Sequence, residues 1–103
     1  MYKPLPDALT IKDSGIHDLG LFAKEGIAQG TNLGTCHIKI GEHLLRTPLG
    51  GFINHANEHN CVKVELKSNN DDPHYPHTHW NLVTIRDIKA DEELTVRYTF
   101  YKV

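Results

Sequence analysis

The residues able to do chemistry in this 103-residue chain fall into a few short stretches. Gly50-Gly-Phe-Ile-Asn-His55 is followed, five residues after His55, by Asn60-Cys61. The amides there can grip the polar groups of a ligand or close a turn by side-chain hydrogen bonds. Ser14-Gly-Ile-His-Asp-Leu-Gly-Leu-Phe-Ala23, then Ile27-Ala-Gln-Gly30, contains small residues that let backbone approach a ligand and a glycine able to close a turn. Arg86-Asp-Ile-Lys-Ala-Asp-Glu-Glu-Leu-Thr-Val-Arg-Tyr98 ends in a phenol, which alone reads as an aromatic packed in a C-terminal strand. Glu92 and Glu93 read as a solvated turn or as partners for Arg86 and Arg97. Neutral imidazoles such as His74-x-x-His77-x-His79 can converge on zinc, nickel or copper. That motif lacks a tetrahedral four-ligand set, and the reading adopted is loop composition with no metal site. Cys36 and Cys61 are too few for a disulfide scaffold or a four-thiolate zinc site and read as small buried hydrophobes.

These residues need a scaffold, and the length allows one domain spanning 1–103 with one modest core. Apolar residues at 39% and charged residues at 23% are ordinary for a folded globular chain. No apolar run reaches the ~20 residues of a spanning helix, and Met1-Tyr-Lys-Pro-Leu-Pro6 lacks the apolar core of a secretory signal. The expectation is an intracellular protein, in cytoplasm or nucleus, with no membrane partner. Eleven Lys and Arg against thirteen Asp and Glu give a formal charge of -2, without the basic excess that phosphate-backbone binding requires. No direct nucleic-acid partner is expected.

Short β-branched and aliphatic runs separated by Gly, Asn, Asp and Pro indicate a mainly β chain, and no long 3.6-residue apolar period occurs. The expected strands are Leu9–Lys12, Leu19–Ala23, Asn32–Ile40, Cys61–Lys67, Trp80–Thr84 and Thr95–Phe100, with a helical turn at Gly41–Leu45. Ser68 to His79, polar and carrying two prolines, reads as an exposed hairpin loop. Ile85, Ile88 and Leu94 are candidates for the core.

The order and spacing of the three blocks resemble the SET-domain family: a glycine-containing turn before Leu21-Phe-Ala23, then Phe52-Ile-Asn-His55 with a further asparagine at Asn60, then Arg86-Asp-Ile88, Glu92-Glu-Leu-Thr95 and Tyr98. The resemblance runs from about Leu9 to Tyr98. It implies a β-clip fold, in which small sheets surround a knot-like crossing of the C-terminal segment, with Asn54 and His55 on one side and Glu93 to Tyr98 on the other. Such threading breaks an otherwise strong topological rule, so it is carried by the resemblance and not by strand patterns.

The resemblance further implies a protein-lysine N-methyltransferase using S-adenosyl-L-methionine. Methyl transfer from a sulfonium to an amine is an in-line displacement, and lysine, with an unperturbed pKa of roughly 10.4, must be supplied unprotonated. Desolvation beside a positive charge favours the neutral amine. The matching tyrosine, Tyr98, is the expected catalytic residue, its hydroxyl orienting the reactants and its ring walling the lysine channel. The expected cofactor-binding residues are Leu19, Gly20 and Leu21 through backbone groups, Asn54 through its amide, His55 through its backbone at the adenine edge, Tyr98, and Phe100, with Phe100 or Tyr101 stacking on adenine.

This sequence departs from the family pattern at several points. Asp18 stands where relatives carry the first glycine of the cofactor turn, Ala56, Asn57 and His59 replace the usual Ser, Cys and Pro, and Arg97 replaces an aspartate. Cys36 falls where many members place a second channel tyrosine, Val96 where relatives place an aromatic, and the middle insert shrinks to about Lys39–Leu49. No separate post-SET domain is expected after Tyr98. A minimal, viral-type member is the expectation, with a host-cell location if viral. The acceptor would be a lysine-containing protein, histone-like or otherwise basic, and a homodimer could complete the site. A non-catalytic SET-like binding module with an incomplete lysine channel is the second reading, consistent with Cys36, Asp18 and the short tail.

Overall fold

The computed structural model describes residues 5–16, 18–67 and 77–97. Eight strands and one short helix follow in chain order: β1 (Leu9–Asp13), β2 (Leu19–Ala23), β3 (Asn32–Ile40), β4 (His43–Arg46), α1 (Pro48–Phe52), β5 (Asn54–His55), β6 (Cys61–Lys67), β7 (His77–Thr84) and β8 (Glu93–Val96). They form two four-stranded sheets, ordered β1-β2-β8-β5 and β4-β3-β7-β6.

The first sheet begins with an antiparallel hairpin in which Leu9 faces Ala23 and Asp13 faces Leu19. Its turn closes through the Ser14 N–H donating to the Asp18 carbonyl at 2.7 Å, and Asp18 adopts φ +34°. That is left-handed territory where glycine is at ease and Asp is among the better tolerated residues. The loss of glycine at this position therefore leaves the turn geometry available. β8 then lies antiparallel to β2, pairing Leu94 with Leu21 and Glu93 with Phe22. On its other side β8 runs parallel to β5, pairing Thr95 with Asn54 and Val96 with His55.

Asn60 completes this clasp. Its carbonyl oxygen accepts the Thr95 N–H at 2.8 Å, its amide donates to the Glu93 carbonyl at 2.9 Å, and its backbone N–H donates to the Thr95 carbonyl at 3.3 Å. A side chain thus stands in for a neighbouring strand, supplying backbone partners to a buried segment that must have them. Residues 54–60 and β8 form the small-sheet crossing expected of the β-clip.

The second sheet is an antiparallel arrangement with β3 and β7 at its centre. Trp80, Leu82 and Thr84 point alternately inward from β7, as a period of two requires. Register shifts on β3 between Asn32 and Gly34 and between Thr35 and His37 mark bulges. The second of these leaves consecutive residues Cys36 and His37 both buried, where strict alternation would send one to solvent. The core combines Leu9, Leu21 and Leu94 of the first sheet with Cys36, Cys61 and Leu82 of the second.

Three expectations are corrected. Gly41 to Leu45 is a hairpin: Gly41 at φ +60° turns the chain and His43–Arg46 returns along β3, with Ile38 facing Leu45. Adjacent Leu44 and Leu45 obscured the alternation. The helical turn sits later, at Pro48–Phe52, behind Thr47-Pro48, an N-cap residue followed by proline at the first helical position. The Thr47 hydroxyl donates to the Thr35 carbonyl at 2.7 Å, tying α1 to β3 instead of capping the helix. The loop expected to reach His79 ends earlier, because β7 begins at His77 and pairs it with Ile40. β8 begins two residues before its expected start and runs through Val96.

Candidate functional site

The site grows from the point where β2 and β8 part, beyond the Leu21–Leu94 pair. Leu21 and Phe22 are flanked by β1 and β8, whereas Leu19 and Gly20 have a strand partner only on the β1 side. Into that opening comes Asn54 of β5, itself buried, whose Nδ2 donates to the Leu19 carbonyl at 3.1 Å. The same amide donates to Glu93 Oε2 at 3.0 Å and lies 3.2 Å from Ser14 Oγ. Ser14 contacts both Glu93 carboxylate oxygens at 2.8 Å, donating its hydroxyl, while its Oγ accepts the Ile16 N–H at 2.9 Å. Three segments distant in sequence, the β1–β2 hairpin, β5 and β8, are thereby tied at one place.

Gly20 is the floor of this cluster. A Cβ built there would collide with the Glu93 carboxylate and come within 3.1 Å of Asn54 Nδ2. The missing side chain is therefore a spatial requirement, not one of backbone torsion.

The structure thus brings together Leu19, Gly20 and Asn54 among the expected cofactor residues. Leu21 is fully buried in the core between its two flanking strands. His55 is half-buried on β5 beside Val96, two residues before Tyr98 in the partner segment. Tyr98, Phe100 and Tyr101 lie outside the described residues. Sequence reasoning missed Ser14 and Glu93 as members of the cluster. Ser14 is 79 residues from Glu93, and no local pattern couples them.

Adjacent glutamates have separate tasks. Glu92 pairs with the Arg86 guanidinium and accepts the Lys89 N–H at 2.9 Å, as the solvated-turn expectation held. The hydrogen bond from Arg86 holds its carboxyl below the ordinary carboxylate range. Glu93 departs from that expectation: its partners are Ser14 and Asn54, not Arg97.

Both cysteines are free and buried, as expected. Cys36 Sγ lies 3.3 Å from the Trp80 carbonyl, to which it donates, and burial raises its pKa; burial pushes Cys61 to about 12. Neither has the thiolate character of a nucleophile at neutral pH. His37 is buried beneath α1, where Gly50 lets the helix approach the Cys36 carbonyl and the imidazole. Its Nδ1 has no hydrogen-bond partner among the described residues. Burial, with Lys63 and Arg46 nearby, lowers its pKa to about 4. Of the histidine motif, His77 and His79 belong to β7 and His74 lies outside the described residues. Among the described residues, no group of three or more His, Cys, Asp or Glu could hold a metal ion.

The SET domain family matches residues 44–99, more than half of the chain. The chain belongs to the SET domain family. Its fold matches the crystal structure of a Plasmodium falciparum protein assigned as a histone methyltransferase, with a TM-score of 0.73 at 20% identity over 94% of this chain and 99% of that one. It also matches an apo structure of ctPRC2 bearing two substitutions in Ezh2, with a TM-score of 0.68 at 21% identity over 88% of this chain. The chain spans 15% of that second protein. At these identities the likeness is one of fold. No curated protein matches the chain.

Proposed function

We propose that this chain is a protein-lysine N-methyltransferase that binds S-adenosyl-L-methionine at the Ser14–Gly20–Asn54–Glu93 cluster. One observation carries the reading: in a SET-family chain, the buried Asn54 amide, the Leu19 carbonyl and the side-chain-free face of Gly20 meet at the open end of β2. With no side chain at Gly20, the polar groups of Glu93 and Asn54 come directly against the backbone, a close approach that a ligand's polar atoms can also use. When bound, S-adenosyl-L-methionine supplies an electrophilic methyl group on a sulfonium. Asn54 and the Leu19–Gly20 backbone hold its amino-acid portion, and the His55 backbone meets the adenine edge. Tyr98 orients the acceptor amine, and Phe100 covers the adenine. A desolvated channel then favours the neutral lysine amine over the ammonium.

The acceptor in this reading is an intracellular, lysine-containing protein of histone-like or otherwise basic character. The middle segment, reduced to the β3–β4 hairpin and α1, supports a minimal single domain over 1–103 of viral type. A second copy belongs to the same proposal. The outer row Leu66–His79–Ile38–Leu45 crosses all four strands of the second sheet without a formal charge, and sedimentation equilibrium reads whether it is covered by self-association.

The deciding experiment is calorimetric titration of the protein with S-adenosyl-L-methionine, repeated with Asn54→Ala. Micromolar binding that the substitution weakens supports the reading, and labelled methyl transfer to basic proteins, lost in Tyr98→Phe, then identifies the acceptor. Absence of binding by the unmodified chain excludes the enzyme reading for the chain alone and favours a non-catalytic SET-like binding module.

A further inference from the structure

We infer that Glu93 is the residue that recognises the α-ammonium group of the bound cofactor. The inference rests on the S-adenosyl-L-methionine reading of the site and adds which group of the cofactor Glu93 meets. Three observations lead to it.

Glu93 is surrounded by neutral donors. Its carboxylate oxygens receive the Ser14 hydroxyl and the Asn54 amide, and among the described residues no lysine, arginine or histidine pairs with it. Glu92, one residue earlier, differs in this respect, because the Arg86 guanidinium balances its charge. Neutral hydrogen bonds orient a carboxylate without cancelling its charge, so Glu93 retains an attraction for a cation that Glu92 has already satisfied.

Its location joins that charge to the cradle. The carboxylate lies directly against Gly20, at the end of β2 where β8 pairing has stopped, and shares the Asn54 amide with the Leu19 carbonyl. A ligand amino group that takes the place of the Asn54 amide against the Leu19 carbonyl meets Glu93 there.

The third observation is that the carboxylate is held on several sides. Ser14 comes from the β1–β2 turn, Asn54 from β5, and Glu93 itself from β8, whose Glu93 carbonyl is held by Asn60. An acceptor fixed in advance loses little freedom on binding and favours a directional N–H donor over a diffuse cation.

The test compares two probes on two proteins by calorimetry: S-adenosylhomocysteine and its des-amino analogue, on the unmodified chain and on Glu93→Gln. The product form suits the test because it carries the same ammonium and no sulfonium. Removal of the amino group is expected to weaken binding to the unmodified chain by about ten-fold and binding to Glu93→Gln by less than about two-fold. A merely structural Glu93 would weaken both probes alike and leave their ratio unchanged. Equal ratios in the two proteins overturn the assignment while leaving the cofactor site intact. Failure of the unmodified chain to bind both S-adenosyl-L-methionine and S-adenosylhomocysteine overturns the assignment together with the reading beneath it. Should thermal melting show that Glu93→Gln does not fold, Glu93→Asp replaces it. It keeps the charge but withdraws it by one methylene, and a ratio as large as that of the unmodified chain then counts against the inference.

Discussion

The two sheets solve the same problem of backbone satisfaction in different ways. In β4-β3-β7-β6 the neighbours supply one another: β6 and β7 pair in unbroken register from Cys61–Thr84 to Lys67–Thr78, and the bulges on β3 adjust which side chains turn inward. In β1-β2-β8-β5 the strands are shorter, and polar side chains finish what backbone pairing leaves open. Asn60 serves Thr95 and Glu93, while Asn54 serves Leu19. The sheet that completes itself presents an outer row without a formal charge, whereas the sheet completed by side chains presents convergent donors and acceptors. Polar groups assembled to satisfy an interrupted ladder are also groups a ligand can use, which is why the candidate site lies where β2 and β8 part.

Breaking the clasp should have the largest effect. Asn60→Ala removes both side-chain bonds to β8 and leaves a buried N–H and carbonyl unmatched, so urea unfolding should show a loss of about 3 kcal/mol. A loss under about 1 kcal/mol would mean that the short backbone ladders suffice without it. Gly20→Ala attacks the floor of the site, where the new methyl must displace the Glu93 carboxylate. The expected cost is about 2 kcal/mol, with a shifted Asn54 side-chain amide resonance in nitrogen-edited spectra.

The second sheet should respond to acid through His37. Its folded-state pKa of about 4 lies below the ordinary 6.5, so on acidification the unfolded chain takes up the proton first. Stability should therefore be full above pH 6.5 and fall progressively toward pH 4. Between about pH 7.5 and about pH 5 the unmodified chain should lose about 2 kcal/mol more than His37→Gln, measured by denaturant unfolding at both values. Equal losses would show that the imidazole finds a compensating partner. Smallest of all, Arg86→Ala removes an exposed ion pair with Glu92 and should cost less than about 0.5 kcal/mol, since Glu92 keeps its bond from the Lys89 N–H. A larger cost would place the Ile85–Leu94 turn among the elements that hold β8.

The sequence by itself determined the mainly β character, four strands within a residue of their observed starts and the burial of both cysteines, and its family resemblance named Gly20 and Asn54, which the structure brings to one place. Strand periodicity and turn residues act locally, and the Asn54-His55 and Glu92-to-Tyr98 blocks are contiguous, so both leave readable marks. The hairpin at Gly41 escaped notice because adjacent leucines break the alternation, while Thr47-Pro48 carried a helix signal that went unused. Only the tertiary structure decided that Glu93 joins Ser14 and Asn54 while Glu92 joins Arg86, although the two glutamates are neighbours of identical chemistry. Glu92 lies in the turn and Glu93 opens β8, and which of them meets a guanidinium or a polar cluster depends on segments far away in the chain.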